Sequence, residues 1–304
     1  MTMPDFQSIL LPFLQYAADG KIHKISEARI HLAKVFNLSD RELSEMIESG
    51  QRRFDNRVGW ARTHLKKAQL IQSPQRGQFQ ITQRGLDTLK GNPQKIDMSY
   101  LSQFPEYHEF RTKTSTGLNV GATEIACELT PEETIENEYL KIKNGLTDEL
   151  LDYVTRSSPA FFEKLVVQLL VAMGYGGSQK EAARAVGKSG DEGIDGIIDE
   201  DRLGLDVIYI QAKRWKRDSK VGRPQIQAFV GALVGRHAKK GVFITTAEFT
   251  YDAIEFSKKL DTKVVLIDGL RLANLMIDHG IGVSTKTVFE IKEIDTDYFE
   301  DINE

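Results

Sequence analysis

Between Ser158 and Gly280 two kinds of apolar segment take turns. Short β-rich runs, "DVIYIQAKRW", "GVFITT" and "KVVLID", alternate with longer stretches of helical spacing, "SPAFFEKLVVQLLVAMG", "GRPQIQAFVGALVGRHAKK", "TYDAIEFSKKLD" and "GLRLANLMIDHG". A short run that is apolar throughout needs cover on both faces, and intervening helices supply it. The alternation predicts an α/β domain, a mixed sheet flanked by helices. Helix punctuation agrees: Ser158 stands as an N-cap, Pro159 takes the first helical position, and Gly174 ends the segment. In the helix from Arg223, Ala228, Gly231, Ala232 and Gly235 form a stripe of small residues expected to lie close against the sheet.

One strand breaks its own pattern. Residues i and i+2 of a strand share a face, so Tyr209, Gln211 and Lys213 project together while Ile208, Ile210 and Ala212 take the other side. Polar groups in a core strand destabilise unless something pairs with them. Just upstream, Asp195 opens the segment "IDGIID" between Gly193 and Gly196, and the short connection "EDRLG" suggests that the two segments pair. Pairing brings Asp195 near the Gln211–Lys213 end. A carboxylate and an amide oxygen are hard ligands suited to Mg²⁺. A lysine beside them can position or deprotonate a water, and such a group can activate a nucleophile and stabilise a pentacovalent phosphate. A further acid, Glu163, falls at the margin of the apolar arc of its helix, where it can reach toward Asp195. Asp191 and Glu192 flank the motif and read as loop residues.

The N-terminal 92 residues have a different grammar. "PDFQSILLPFLQYAAD", "KISEARIHLAKVFN" with Ser26 as cap, "SDRELSEMIESG" with Ser39 and Glu42 as a capping box ending at Gly50, and "FDNRVGWARTHLKKAQL" read as four helices. Two short strands follow around the turn "PQRG". Helices closed by a hairpin make a winged helix, whose last long helix enters the major groove of DNA. Residues 1–95 carry 15 Lys/Arg against 9 Asp/Glu. Arg52, Arg53, Arg57, Arg62, Lys66 and Lys67 cluster on and before that helix with Trp60 among them, and Arg76 sits at the hairpin tip. This density suits phosphate contact. Residues 96–150 carry 4 Lys/Arg against 11 Asp/Glu; their turn chemistry reads as an acidic spacer rather than a partner of the basic head. The expected organisation is a winged helix over 1–92, an acidic linker over 93–147, a catalytic domain over 148–290, and an acidic tail over 291–304.

Several classes drop out. There is no apolar run long enough to span a membrane and no secretory signal pattern. The single cysteine, Cys127, rules out an internal disulfide and a cysteine-built zinc site and points to the cytoplasm. The six histidines have no metal-ligand spacing. No G-x-x-x-x-G-K-[ST] loop is present, so the chain is no nucleotide-driven motor by itself.

The glycine-flanked "GIDGII", then "YIQAKRW", "GRPQIQAFVGAL" and "KKGVFITTAEFT", resemble the catalytic domain of the Mrr family of restriction endonucleases, within the PD-(D/E)xK nuclease superfamily. "GQRRFDNRVGWARTHLKKAQLIQSPQRGQFQITQRG" is similar to the winged helix that precedes it there. The resemblance implies a restriction-endonuclease-like fold and Mg²⁺-dependent cleavage of double-stranded, methylated foreign DNA, with the chain pairing as a homo-oligomer to cut both strands. It implies that Asp195 binds the metal, that Gln211 and Lys213 form the Q-x-K variant of the motif, and that Glu163 assists. The superfamily usually has an acid where Gln211 stands, and the neutral amide favours one Mg²⁺ over two. The alternative is a winged-helix regulator whose nuclease-like domain only senses or dimerises.

Overall fold

The computed structural model describes residues 3–114, 129–176, 193–201, 203–292 and 294. Contacts divide the chain into two units, Met1–Lys141 and Ile142–Glu304.

In the first unit, α1 (Phe6–Tyr16) begins where the Asp5 carboxylate accepts from the Gln7 and Ser8 amides. It is followed by β1 (His23–Lys24), α2 (Ile25–Val35), α3 (Asp40–Leu43) and α4 (Arg53–Lys67), then β2 (Ile71–Gln72), β3 (Gln78–Ile81) and α5 (Gln83–Lys90). The strands form a three-stranded antiparallel sheet in the order β1-β3-β2. Strand β1 has no apolar alternation and was not expected. Its pairing holds Lys24 extended, and α2 starts at Ile25, ahead of the cap expected at Ser26. The capping box of Ser39 and Glu42 forms, but α3 is one turn long. The chain then doubles back through Gly50, at φ +79°, so that Met46 bridges Arg52.

Phe13, Leu14, Leu32, Phe54, Val58, Leu65 and Phe79 fill this unit's core. Part of the segment expected to act as a spacer joins them. Asp97 caps α6 (Met98–Leu101), α7 (Pro105–Thr114) follows, and Ile96, Leu101 and Tyr107 are fully buried. Their scattered aromatic and aliphatic side chains have too little periodicity to announce a packed element, yet burying them removes enough apolar area to fix the chain there. The long helix α8 (Pro131–Arg156) contains the division between the units.

The second unit is the α/β domain. Its order is α9 (Pro159–Ala172), β4 (Gly196–Asp199), β5 (Val207–Lys213), β6 (Lys220–Val221), α10 (Arg223–Gly235), β7 (Lys240–Thr245), β8 (Glu248–Phe249), α11 (Tyr251–Lys258), β9 (Lys263–Ile267) and α12 (Gly269–Asp278). The main sheet runs β4-β5-β7-β9, antiparallel at β4/β5 and parallel across β5, β7 and β9, beside a small β6-β8 pair. One face packs Ile208, Ile210 and Ala212 against α9 and α12. The other packs Phe243 and Val264 against Phe229 and Leu233 of α10 and Ala253 of α11. Both faces are covered, as the apolar runs require.

Of the small-residue stripe of α10 only Ala232 is buried in the core against the sheet. Ile226, Phe229 and Leu233 are buried, while Ala228, Gly231 and Gly235 are exposed. Burying one ring and two branched side chains gains more than close approach of small residues. The close approach comes from the sheet instead: a Cβ on Gly241 of β7 would lie 2.7 Å from Leu233 Cδ1 and 2.8 Å from Phe229 Cζ. Among the described residues, no helix is long and apolar enough to cross a membrane.

Candidate functional site

The β4/β5 ladder pairs Gly196 with Ile210, so one further step sets Asp195 opposite Gln211. Two hydrogen bonds fix it there. The Asp195 amide donates to the Ile210 carbonyl at 2.8 Å, and the Ala212 amide donates to Asp195 Oδ2 at 2.8 Å. The carboxylate thus takes the place of a ladder acceptor and is clamped between Gln211 and Lys213. Gly193 permits this approach. Its φ of +94° suits glycine, and a Cβ there would sit 3.0 Å from Gln211 Nε2.

Gln211 is only 6% exposed, and its side-chain amide has no hydrogen bond to any described residue. Its amide atoms are not among those sealed off without a partner, so water or a ligand from outside the chain can reach them. Lys213 is part-buried at the end of β5. Glu163 lies just past the first turn of α9, which Ser158 caps through the Phe161 amide. Its carboxyl is pushed above the ordinary glutamate range, first by burial and then by the negative charge of Asp195, with Lys213 opposing the rise. That coupling brings Glu163, Asp195 and Lys213 into one electrostatic neighbourhood. Asp191 and Glu192 lie outside the described residues.

The donor set suits a divalent cation. It comprises two carboxylates that repel each other and an amide with no hydrogen bond to a described residue. Among the described residues no three His, Cys, Asp or Glu side chains gather; the third oxygen is the neutral Gln211 amide.

Sequence reasoning passed over the two threonines that hold this strand end. Thr245 Oγ1 on β7 donates to the Lys213 carbonyl at 2.7 Å. Thr246 Oγ1 accepts from the Trp215 amide at 2.8 Å and donates to its carbonyl. Arg214 donates to the Thr155 carbonyl, and Arg217 pairs with Asp148 at 2.7 Å and Asp152 at 2.9 Å. The threonine pair ending "GVFITT" was the available signal: two side-chain hydroxyls at the tip of the neighbouring parallel strand.

The basic helix of the first unit has a different fate. Arg52, Lys66, Lys67 and Arg76 are exposed, Lys67 with its ammonium 5.0 Å from the Phe110 ring centre. Four other residues expected on an open phosphate-binding face are engaged inside the unit. Arg57, 9% exposed, donates to Glu133 Oε1 at 2.9 Å and to the Pro4 carbonyl at 2.8 Å. Arg53 pairs with Glu45, Glu133 and Glu136. Trp60 Nε1 donates to Glu132 at 2.7 Å, and Arg62 to Ser73 Oγ at 2.9 Å. Three of the carboxylates that meet α4, Glu132, Glu133 and Glu136, come from the acidic stretch read as a spacer. Burial supplies the reason for Arg57, since a charge so far from water needs a partner.

Comparison with known proteins follows the same division. Residues 154–276 match the family described as "Restriction endonuclease" and residues 6–91 the "Mrr N-terminal domain". Over 326 aligned residues, covering 99% of this chain and all of the relative, the sequence is 36% identical to the "Type IV methyl-directed restriction enzyme EcoKMrr" of Escherichia coli (strain K12). Among solved structures, "MspJI Restriction Endonuclease in Complex with 27-mer Oligonucleotide" is 26% identical, with 44% of this chain and 31% of that chain covered at a TM-score of 0.33. The "DNA modification-dependent restriction endonuclease AspBHI" is 16% identical, with 44% and 36% covered at a TM-score of 0.34. With both units matched in order and the full-length relative aligned end to end, the chain belongs to the Mrr family of restriction endonucleases.

Proposed function

We propose that this restriction endonuclease cleaves methylated double-stranded DNA by Mg²⁺-dependent phosphodiester hydrolysis at the Asp195–Gln211–Lys213–Glu163 cluster. The observation that carries the reading is the clamp of the Asp195 carboxylate on the Ala212 amide, between Gln211 and Lys213. The methyl requirement is taken from the name of the 36% identical relative. Asp195 and Gln211 are the residues to hold the ion, with Glu163 assisting. Bound there, a divalent cation would polarise the scissile phosphate and lower the pKa of a water. Lys213 orients that water or the phosphate and balances the negative charge of the two acids. Thr245 and Thr246 fix the strand end so that the ammonium stays in place.

The first unit binds the duplex through α4 and the hairpin tip, with Arg52, Lys66, Lys67 and Arg76 as its exposed basic residues. One site per chain cuts one strand, so cutting both requires a second copy on the substrate. The lone cysteine suits a reducing cytoplasm. The test is cleavage of one plasmid in methylated and unmethylated form, with Mg²⁺ and then with EDTA. Cutting of the methylated form alone, abolished by EDTA, is the expected result. Binding without cutting of either form would favour a regulator instead.

A further inference from the structure

Glu132, Glu133 and Glu136 occupy the first turns of α8, and all three meet the helix that the proposed function assigns to DNA. They do not do so equally. Glu133 is fully buried: it shares a capping box with Thr130 and receives both Arg53 and Arg57. It is part of the core. Glu132 and Glu136 are only part-buried. One holds the Trp60 indole at 2.7 Å, the other a second nitrogen of Arg53 at 3.3 Å. Arg53 keeps 20% of its side chain exposed and is shared among three carboxylates.

An arginine ringed by carboxylates presents the same bidentate donors that a phosphate would take. A DNA backbone approaching this side of α4 meets negative charge before it meets Arg53. Glu138, on the same helix, is spent on Lys141 three residues away and touches neither α4 residue.

We infer that the acidic start of α8 is an internal phosphate mimic, an autoinhibitory contact in which Glu132 and Glu136 mask Arg53 and Trp60 and must be displaced for full DNA binding. This rests on the reading of α4 as a DNA-contacting helix. Glu133 anchors the acidic turn, and the two part-buried glutamates are the exchangeable portion. Displacement opens Nη2 of Arg53 to a phosphate, while Nε and Nη1 stay on Glu45 and Glu133, and opens one indole to a sugar or base, so the masked form binds more weakly and with a shallower dependence on salt.

The experiment is duplex binding by the full chain in EDTA across a salt series, for wild type, Glu136→Ala, Glu132→Ala/Glu136→Ala, and Glu138→Ala as a control of equal charge change on the same helix. Glu136→Ala should tighten binding about fivefold. It should steepen the plot of log affinity against log salt by about one unit, the signature of one added phosphate contact. The double variant should bind more tightly still, and Glu138→Ala should stay within about twofold of wild type. Equal effects of Glu136→Ala and Glu138→Ala would reduce the contact to bulk charge and overturn the inference. So would a Glu136→Ala variant of unchanged melting temperature that binds no better than wild type. Lys66→Ala/Lys67→Ala separates the two levels. If it weakens binding while Glu136→Ala changes nothing, only the mask is refuted. If it has no effect, α4 is not a DNA contact and both fail.

Discussion

Helix α4 and strand β5 each carry polar and charged side chains into a packed environment, and the chain treats them in opposite ways. On α4, Arg57 reaches a buried carboxylate and two backbone carbonyls, and His64 reaches the Tyr107 hydroxyl at 2.7 Å. Most of that demand is met inside the unit, and what is left over is single atoms, Asn56 Oδ1 and Arg62 Nε. At β5, Gln211 is buried with no described partner, and Glu163 and Asp195 hold like charges near each other. The demand is left open. A compensated buried charge stabilises a fold, and an uncompensated one stores an interaction for something that arrives later. Residue type alone does not separate the two cases, because both regions read as polar residues in apolar surroundings.

The largest effect is expected at the β5 site. Asp195→Ala and Lys213→Ala should each lower plasmid cleavage by about 10³-fold, the equivalent of several kcal/mol of transition-state stabilisation. Duplex affinity in EDTA should hold. Retained cutting by Lys213→Ala would remove the lysine from the reaction.

On the α4 side, burial holds His64 down to about 4 from 6.5. The folded protein then resists protonation that the unfolded chain accepts. Stability is fully present above 6.5 and declines by about 3 kcal/mol as pH falls toward 4. Urea unfolding followed by Trp60 in a Trp215→Phe background reads this directly. His64→Gln, which still offers Tyr107 a partner, should flatten the profile over that range.

Glu163→Gln sharpens the contrast, since the two properties should move apart. The folded state holds the Glu163 proton to higher pH than an ordinary glutamate, so its ionisation at neutral pH opposes folding. The variant should melt higher than wild type at pH 7.5, with the difference vanishing below the ordinary glutamate range. Cleavage should fall by about 10- to 100-fold, within the span of a lost assisting acid. A variant that loses both stability and activity would make Glu163 a structural residue. The smallest expected effect belongs to the exposed cations. Lys66→Ala and Lys67→Ala should each weaken binding a few-fold, make the salt dependence shallower by about one unit, and leave the melting temperature unchanged.

What could be read from residues in order was local. The strands around Gln211 and Lys213, the Ser158–Pro159 start of α9, the capping box at Ser39 and the hairpin near Gly77 all rest on side chains a few positions apart. The short connection between β4 and β5 also put Asp195 within reach of Gln211, because a tight turn leaves an antiparallel ladder few registers to choose from. Distance along the chain defeated the rest. Arg57 and Glu133 are 76 residues apart, and Trp60 and Glu132 are 72 apart. Opposite charge made such pairs possible, and nothing in the sequence selected them over water. The same holds for the small stripe of α10, where the face that turned inward was decided by the shape of Phe229 and Leu233 against Gly241. The sequence by itself determined most of the elements, β1, α6 and α7 aside, and marked the residues proposed to carry the chemistry, because propensity, capping and short-loop pairing act over a few residues. Only the tertiary structure decided which charges are spent internally and which stay open, because desolvation depends on neighbours that folding brings from far along the chain.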